Sequence, residues 1–383
     1  MFKVQCSKLN QKNKTYVGYR PTWAEINLTN LAYNFTRIKK ELSAGIKVMV
    51  CVKADAYGHG LIPVAQKLVA CGVDYLGVAS IDEGIKLREA GINTPILILG
   101  LILEEDIRPL FDYSLTQTIC TEELASALNR FAGRLRRLAK VHIKVDTGMG
   151  RIGVSLKDAF TMIKKIHRLK FVEIEGVFTH LACADINKEF TELQIDKFNN
   201  LVSGLNKEGL HIPLVHAANS LGVLHYRKSH FNMARPGLVT YGLYPKEGLG
   251  VKLKPVLSLK TKVIYAKNVP AGHGISYGHD YVTKKETTIL TLPIGYGDGY
   301  PRNLSNLAPV LIRGKVFKIS GRICMDQIMV DAGSHPVKIG DEAVLIGSQG
   351  KNKITTENLA ELAQTIPYEI VCGLGRRIPR VYI

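Results

Sequence analysis

The sequence predicts an α/β protein in which a (β/α)8 TIM barrel is followed by a mainly β domain. Two observations support this prediction. Short apolar runs alternate with amphipathic segments between residues 46 and 238, and after Pro255 the chain consists of closely spaced β-type segments with Gly and Pro turns. The first pattern is typical of a parallel sheet covered by helices, and the second of an antiparallel domain. We therefore assign residues 21–255 to the barrel and residues 256–383 to the β domain.

Eight apolar runs supply the strands of the predicted barrel. Their near-continuous hydrophobicity is typical of strands that are buried on both faces. Amphipathic stretches such as 121–138, 156–169 and 188–208 lie between them and predict helices. The runs are IKVMVCVKAD (46–55), DYLGVAS (74–80), TPILILG (94–100), LTQTIC (115–120), KVHIKVD (140–146), VEIEGVFTHL (172–181), PLVHAANS (213–220) and FNMARPGL (231–238). A doubly wound sheet would give the same alternation, and strand counting alone does not exclude it.

The two ends of the chain carry further signals. The segments VLSLKTKVIYAKNV, TTILTLPIGYG, VLIRGKVFKISGRI and DEAVLIG predict strands of the β domain, with one helix near 356–365. TWAEINL (22–28) is a candidate to add a strand to the same domain. Residues 1–20 are basic, contain no acidic residue and lack the apolar stretch of a secretory signal, so we expect a flexible arm.

The composition narrows the class of protein. The chain has 51 Lys and Arg against 33 Asp and Glu, a net charge of +18, but the basic residues are scattered and form no nucleic-acid-binding motif. Such a surface suits anionic small molecules, and we expect neither a nucleic acid nor a membrane as partner, since no apolar run is long enough to span one. Seven cysteines without a CxxC pair indicate reduced thiols in a cytoplasmic protein. We expect no metal site.

Polar residues cluster where the predicted barrel strands end. Active sites of such barrels lie at the carboxyl ends of the strands. Lys53 is the most informative of these residues, because desolvating an ammonium group is costly unless the lysine is paired or its pKa falls. The others are Tyr57, Lys144, Arg151, His180, His216, Asn219, Ser220 and Arg235. The convergence of so many polar groups on one rim predicts a ligand site.

The loops after the seventh and eighth strands indicate what the ligand carries. Phosphate groups commonly bind at these loops in barrel enzymes. Asn219 and Ser220 lie on the first loop, and RPGL (235–238) supplies glycine-exposed amides on the second. A phosphate site beside a buried lysine predicts pyridoxal 5'-phosphate that is bound to Lys53 as a Schiff base.

A competing motif lies at residues 148–153. GMGRIG matches the glycine spacing of dinucleotide-binding loops, and Glu173 follows about twenty residues later. In that class of protein, however, the motif follows the first strand of its series. Here it follows the fifth strand and contains an arginine, so we do not favour a nicotinamide cofactor.

An ordered set of motifs resembles the alanine racemase family of fold-type-III pyridoxal phosphate enzymes. The motifs are VKADAYGHG, HIKVDTGMGRIGV, EGVFTHLACAD, HAANS, ARPGL, ISYG, IGYGDG, GRICMDQ and YEIVCG, and they extend from residue 52 to residue 373. A single motif such as HAANS is modestly specific, whereas the ordered set is highly specific. The resemblance implies racemisation of L- and D-alanine by two bases, which supplies D-alanine for peptidoglycan synthesis.

The resemblance also implies roles for individual residues. Lys53 would carry the cofactor and act as the base towards D-alanine, and Tyr277 would be the opposing base towards L-alanine. A racemase that passes through a planar carbanion needs one proton donor or acceptor on each face. Arg235 would face the pyridine nitrogen, with His180 and His216 as supporting residues. An arginine keeps its proton, so the ring nitrogen stays unprotonated and reprotonation at carbon is favoured over transamination.

The remaining implied positions surround the two acidic groups of the ligands. Arg151 and the backbone amide of Met325 would hold the substrate carboxylate, and Tyr296 would lie at the mouth of the site. Lys144 resembles a lysine that becomes carbamylated and braces Arg151, although a pair with Asp146 or another acidic residue is nearly as plausible from sequence. The positions around the phosphate are Tyr57, Asn219, Ser220, Gly237, Leu238 and Tyr368. The family further implies a homodimer in which each active site combines Lys53 of one chain with Tyr277 of the other.

Two other classes of protein share part of this pattern. A non-catalytic pyridoxal-phosphate-binding barrel has a similar lysine strand but lacks the appended β domain. A fold-type-III decarboxylase has both domains, with a cysteine base and a different partner for the cofactor ring. RPGL (235–238) and ISYG resemble the racemase rather than the decarboxylase.

Overall fold

A computed structural model describes residues 19–244, 248 and 250–383. The described chain forms two compact units. The β unit consists of residues 19–26, 257–355 and 374–383, and the barrel unit consists of residues 27–256 and 356–373. The arm expected at residues 1–20 lies outside the described residues except for Tyr19 and Arg20.

The strands are short and numerous. In chain order they are β1 Thr22–Ile26, β2 Lys47–Cys51, β3 Tyr75–Val78, β4 Ile96–Ile98, β5 Thr116–Ile119, β6 Ala139–Asp146, β7 Val154–Ser155, β8 Val172–Phe178, β9 Leu214–His216, β10 Met233–Ala234, β11 Leu257–Lys262, β12 Tyr265–Val269, β13 Gly274–Ile275, β14 Tyr281–Val282, β15 Thr287–Leu292, β16 Pro309–Ile312, β17 Lys315–Lys318, β18 Ile328–Gly333, β19 Glu342–Gln349, β20 Asn352–Ile354 and β21 Arg380–Tyr382.

The helical segments belong mainly to the barrel unit. They are α1 Leu28–Lys40, α2 Lys53–Gly58, α3 Leu61–Ala70, α4 Ile81–Glu89, α5 Arg108–Asp112, α6 Glu122–Leu135, α7 Leu156–His167, α8 Lys188–Lys207, α9 Ser220–His225, α10 Thr356–Leu362 and α11 Pro367–Gly373. Side-chain caps fix the starts of several of them: Thr121 accepts a hydrogen bond from Leu124 N at the start of α6, and Asn187 accepts one from Phe190 N at the start of α8.

The barrel is closed and parallel. Its strands follow the order β5-β4-β3-β2-β10-β9-β8-β6, and β5 pairs with β6 to complete the ring. All eight predicted strands are present and adjacent as predicted, so the TIM barrel is confirmed and the doubly wound sheet is excluded. Met49, Tyr75, Leu97, Leu214 and Met233 form one buried cluster from five of these strands. The predicted runs extend beyond the strands because their last residues fold into the turns that form the site.

The β unit is built on a mainly antiparallel sheet with the order β17-β16-β19-β11-β1-β21. The strand β1, Thr22–Ile26, pairs with β11 in antiparallel register and with β21 in parallel register, so the TWAEINL segment does add a strand to this sheet. A second, three-stranded sheet has the order β12-β15-β18.

Helices α10 and α11 lie in the barrel unit, although the sequence boundaries group residues 356–373 with the β domain. The reason is packing: α11 contacts α2, and the ring of Tyr368 lies 6.0 Å from the ring of Tyr57. No helix within the described ranges is both long enough and apolar enough to cross a membrane.

Candidate active site

A cavity of about 320 Å³ lies in the barrel unit beside the carboxyl ends of the strands. It is lined by eleven of the residues that the sequence singles out, namely Lys53, Tyr57, Lys144, Arg151, His180, Asn219, Ser220, Arg235, Gly237, Leu238 and Tyr368. Cys51, Ala79, Leu99, Gly100, Ile152 and Phe178 complete the wall. The polar strand ends therefore do converge on one cavity.

Lys53 follows the first barrel strand and opens an unusual turn. The next four residues, 54–57, all have left-handed backbone angles, with φ between 53° and 54°. For residues with a Cβ this conformation costs about 1–2 kcal/mol each, so other contacts must hold it. The carboxylate of Glu83 accepts a hydrogen bond from Ala54 N at 2.7 Å, and that of Asp55 accepts one from Leu61 N at 2.8 Å. Lys53 lines the cavity and is half-buried, whereas the sequence indicated a buried lysine at the end of the strand. The strand itself ends two residues earlier, at Cys51.

The cavity is strongly cationic. Lys53, Lys144, Arg151 and Arg235 line it, and no described residue of its wall is an aspartate or glutamate. Burial, followed by the charges of Arg235, Lys144, Arg151 and Lys53, lowers the pKa of His180 well below its usual value, so His180 is neutral at pH 7. This charge distribution favours an anionic ligand. Within the described chain, no group of three or more His, Cys, Asp or Glu side chains is arranged to hold a metal ion.

Lys144 does not pair with Asp146, the alternative that the sequence left open. The Asp146 carboxylate instead accepts hydrogen bonds from the amides of Gly148, Met149 and Gly150 and thereby orders the start of the loop that carries Arg151. Lys144 Nζ lies 5.8 Å from the centre of the Phe178 ring. Burial and the positive charge of Arg151 lower the pKa of Lys144 to about 8, so an appreciable fraction of its amine is neutral near pH 7.

Arg235 is the most firmly held cation of the site. Its side chain is buried, and Nη2 donates to the carbonyl oxygens of Thr179 at 2.7 Å and Ala217 at 3.0 Å. Nη1 donates to His216 Nδ1 at 2.6 Å. Burial lowers the pKa of Arg235 to about 10, which still leaves it protonated at neutral pH. The predicted neighbourhood of Arg235 and His216 is therefore formed, whereas His180 has no hydrogen bond to Arg235 among the described contacts.

Two residues of this neighbourhood were missed from the sequence. The Phe178 ring stacks on the His216 imidazole at 4.8 Å with an interplanar angle of 3°, and Arg235 Cζ lies 5.2 Å from the centre of the Phe178 ring. His142 Nδ1 lies 2.8 Å from His216 Nε2. The period of two along KVHIKVD places His142 on the same face of β6 as Lys144, and this signal could have found it.

The part of the cavity wall that contains Asn219, Ser220 and Gly237 suits a phosphate group. The amide of Gly237 donates to Ser220 Oγ at 3.1 Å, and Asn219 caps α9 by accepting from Gly222 N. A Cβ added at Gly237 would lie 2.8 Å from Tyr57 Oη, so glycine is needed to leave room beside that hydroxyl. Hydroxyls, side-chain amides and the nearby cations are groups that bind phosphate. The residues present thus fit pyridoxal phosphate, with Lys53 available for covalent attachment.

The other three predicted positions belong to the β unit. Tyr277 begins a short turn, Tyr277–His279, behind Ser276 at φ 66°, and its side chain is 70% exposed. Tyr296 begins the turn Tyr296–Asp298, whose Gly297 amide donates to the Met325 carbonyl at 2.8 Å. Among the described residues no acceptor takes up the Met325 N–H, which is therefore available to a ligand.

Comparison with known proteins decides the family. The alanine racemase N-terminal domain family matches residues 26–245, and the alanine racemase C-terminal domain family matches residues 256–382. The chain belongs to the alanine racemase family. The family resemblance that the motifs indicated is thereby confirmed.

Several relatives within the family are similar along nearly their whole length. An alanine racemase from Halothermothrix orenii is 51% identical over 95% of this chain and 97% of the relative. A solved alanine racemase from Clostridium difficile 630 has a TM-score of 0.91 at 41% identity and covers 95% of this chain and 96% of the other. A solved alanine racemase from Bacillus anthracis with bound L-Ala-P has a TM-score of 0.90 at 37% identity, with 96% of each chain covered.

Proposed function

We propose that this protein is a pyridoxal-phosphate-dependent alanine racemase that interconverts L- and D-alanine and supplies D-alanine for peptidoglycan synthesis in the cytoplasm. The observation that carries the proposal is the barrel cavity, in which Lys53 and Arg235 stand among further cations in a chain of this family. The cofactor, when bound, supplies an electron-withdrawing ring system that makes the α-proton of the substrate more acidic.

The proton transfers are assigned to two side chains. The Lys53 amine would accept the α-proton of D-alanine on one face and return it there in the reverse direction. The Tyr277 hydroxyl would do the same for L-alanine on the other face. A lysine amine that has lost its proton is a suitable base for this step. The half-buried position of Lys53 and the exposed position of Tyr277 on a fixed turn leave both groups accessible to a ligand.

Arg235 would set the outcome of the reaction. Its guanidinium group can donate to a ring nitrogen but cannot readily protonate it, since its pKa of about 10 is far above that of a pyridine. The electron sink is thereby limited, and the proton is returned to the α-carbon rather than lost to transamination. His216, which accepts from Arg235 Nη1, and His180 would be supporting residues.

The substrate carboxylate would be held by Arg151 and the Met325 amide, with Tyr296 at the mouth of the site. Tyr57, Asn219, Ser220, Gly237, Leu238 and Tyr368 would surround the phosphate of the cofactor. The neutral fraction of Lys144 could add to carbon dioxide, with loss of one proton, to give a carbamate. That anion would brace Arg151, which matches the absence of a carboxylate from the described cavity wall.

The assembly is proposed to be a two-fold homodimer. Each site would combine Lys53 of one chain with Tyr277 of the partner subunit. The proposal of a homodimer rests on the family to which the chain belongs. Within the chain, the residues assigned to one reaction are divided between two compact units.

A chiral amino-acid assay tests the function. Purified holoenzyme is incubated with L-alanine, and D-alanine and carbon dioxide are both measured. We expect D-alanine and no carbon dioxide. Carbon dioxide release would identify a decarboxylase, and the absence of both products with cofactor bound would identify a non-catalytic binding protein. The same assay across small L-amino acids measures how strictly alanine is preferred over serine.

A further inference from the structure

A hydrogen-bonded chain leads from Arg235 into the interior of the barrel. Arg235 Nη1 contacts His216 Nδ1 at 2.6 Å, and His216 Nε2 contacts His142 Nδ1 at 2.8 Å. His142 Nε2 then lies 3.3 Å from Oε2 of Glu175. Glu175 is three residues before Phe178 on β8, so the series of hydrogen bonds extends about 10 Å from the rim along the strand.

The donor and the acceptor of each hydrogen bond in this series follow from the two groups at its ends, Arg235 and Glu175. A guanidinium group can only donate hydrogen bonds, so His216 Nδ1 must accept. A neutral imidazole carries one proton, so His216 Nε2 donates to His142 Nδ1, and His142 Nε2 donates to Glu175. A carboxylate can only accept, and it therefore fits the far end of the chain. Each histidine has a single permitted tautomer.

The surroundings support this assignment. Burial is the main cause that lowers the pKa of both histidines, so both imidazoles are neutral at pH 7. A protonated His216 would also place an N–H against Arg235. The His142 ring fits only because residue 176 is a glycine: a Cβ there would lie 2.5 Å from two atoms of the imidazole. Burial thus keeps both rings neutral, and Gly176 leaves room for the His142 ring.

Glu175 is also held as a carboxylate. Burial raises its pKa, but hydrogen bonds from His142 and Tyr75 outweigh burial and bring the pKa to about 2. Lys140 Nζ lies 3.2 Å from Oε1, and Thr116 Oγ1 donates to Oε2 at 3.3 Å. Glu175 therefore remains an acceptor throughout the neutral pH range.

We propose that Glu175 is a positioning residue for Arg235, acting through the tautomers of His142 and His216. The remaining described hydrogen bonds of Arg235 go to main-chain carbonyls, which cannot change from acceptor to donor. His216 could change only by losing its bond from Arg235, and Arg235 at one end and the carboxylate at the other both oppose that change. The inference rests on the proposed function in that it explains how Arg235 is kept aligned for the cofactor.

The first test needs no variant. Nitrogen-15 NMR of the histidine-labelled holoenzyme distinguishes protonated from unprotonated ring nitrogens, with His142→Asn and His216→Asn used for assignment. We expect both histidines to carry their proton on Nε2 alone. A doubly protonated ring, or a proton on Nδ1 of either residue, would overturn the proposal whether or not any variant folds.

The second test removes the terminal acceptor. In Glu175→Met the side-chain length is kept and the acceptor is lost, so that only Arg235 still opposes the other tautomer. We expect a detectable fraction of His142 and His216 to carry the proton on Nδ1. Glu175→Gln retains a carbonyl oxygen that can accept from His142 Nε2 and should restore the single tautomer. The matched control is Glu173→Gln, because Glu173 lies on the same strand, 3.9 Å from Lys140 Nζ, and makes no described contact with His142.

Kinetics of the same variants give an independent readout. We expect kcat of Glu175→Met to fall about tenfold with KM nearly unchanged, because the substrate-holding groups are untouched. Glu175→Gln should recover most of kcat, and Glu173→Gln should match the unmodified protein. Unchanged tautomers and kcat in Glu175→Met, or an equal loss in Glu173→Gln, would reject the role of Glu175. The NMR result is independent of racemisation, so an inactive protein with the expected tautomers would reject the proposed function and leave this inference standing.

Discussion

The two units present their candidate site residues in opposite ways. In the barrel unit Arg235 is 4% exposed and is fixed by a histidine and two carbonyls. In the β unit Tyr277 is 70% exposed and Met325 is 53% exposed, both on short turns. A buried, cationic cavity can bind an anionic cofactor with little rearrangement, whereas exposed groups become useful when another surface covers them. The barrel unit is thus organised for binding, whereas the assigned groups of the β unit are open to solvent.

The largest expected effect comes from Lys53→Ala in the barrel unit. Covalent attachment of the cofactor and racemisation should be lost together, because one amine is assigned to both. Absorbance of the lysine-bound cofactor and production of D-alanine are the two measurements. Lys67→Ala, which changes a lysine of α3 away from the cavity wall, is the control. Retention of either property in Lys53→Ala would contradict the assignment.

Tyr277→Phe makes the corresponding change in the β unit. The cofactor should still be bound, because the barrel cavity is untouched, but proton transfer should fail on one face. In deuterated solvent, exchange at the α-carbon of L-alanine should slow by at least about a hundredfold, while that of D-alanine continues. Tyr265→Phe, at an exposed tyrosine of β12, serves as the matched control. Equal exchange from both enantiomers would show that Tyr277 is not a base specific to one face.

Mixing the two variants tests whether one active site contains Lys53 of one chain and Tyr277 of another. Hybrid dimers of Lys53→Ala and Tyr277→Phe would contain one site with both changes and one intact site. Random pairing makes half of the dimers hybrid, so about a quarter of the unmodified activity should return on co-refolding. Sites formed within single chains predict no recovery. Hybrids that form, as shown by differential tagging, but remain inactive would rule out the shared site.

The sequence predicts the fold more accurately than it predicts the ends of the strands and the boundary between the two units. All eight barrel strands were found because each is a continuous apolar run, but the runs continue past the strands into VKAD, HAANS and RPGL, which form turns of the site. Hydrophobicity alone does not mark that change. The assignment of residues 356–373 to the barrel unit depends on packing against α2, and no local pattern indicates it.

The residues of the candidate site likewise fall into those that the sequence predicts and those that it misses. Strand ends located the rim residues, since the carboxyl ends of parallel strands meet at one edge. Glu175 and His142 lie within strands. A polar residue there does not by itself indicate a site, because it can equally be an ordinary solvent-facing or core residue. The left-handed turn of residues 54–57 was missed because it contains no glycine or asparagine, the usual signal for that conformation.

The smallest expected effect concerns the acid stability of the barrel unit. Glu175 has its pKa lowered from 4.5 to about 2 in the folded protein, so its charged form contributes stability above about pH 4.5 that is lost as the pH falls towards 2. Glu175→Gln cannot titrate. Its deficit in the free energy of unfolding should therefore be on the order of 1–2 kcal/mol at pH 6, after allowance for solvent screening, and should shrink as the pH falls to about 3. Urea titrations of both proteins across this range measure the difference, with Glu173→Gln as the control for the loss of one negative charge on β8. A deficit that is constant with pH would mean that the Glu175 carboxylate gains nothing from its partners in the folded barrel, and it would weaken the contrast between a preorganised barrel unit and an exposed β unit.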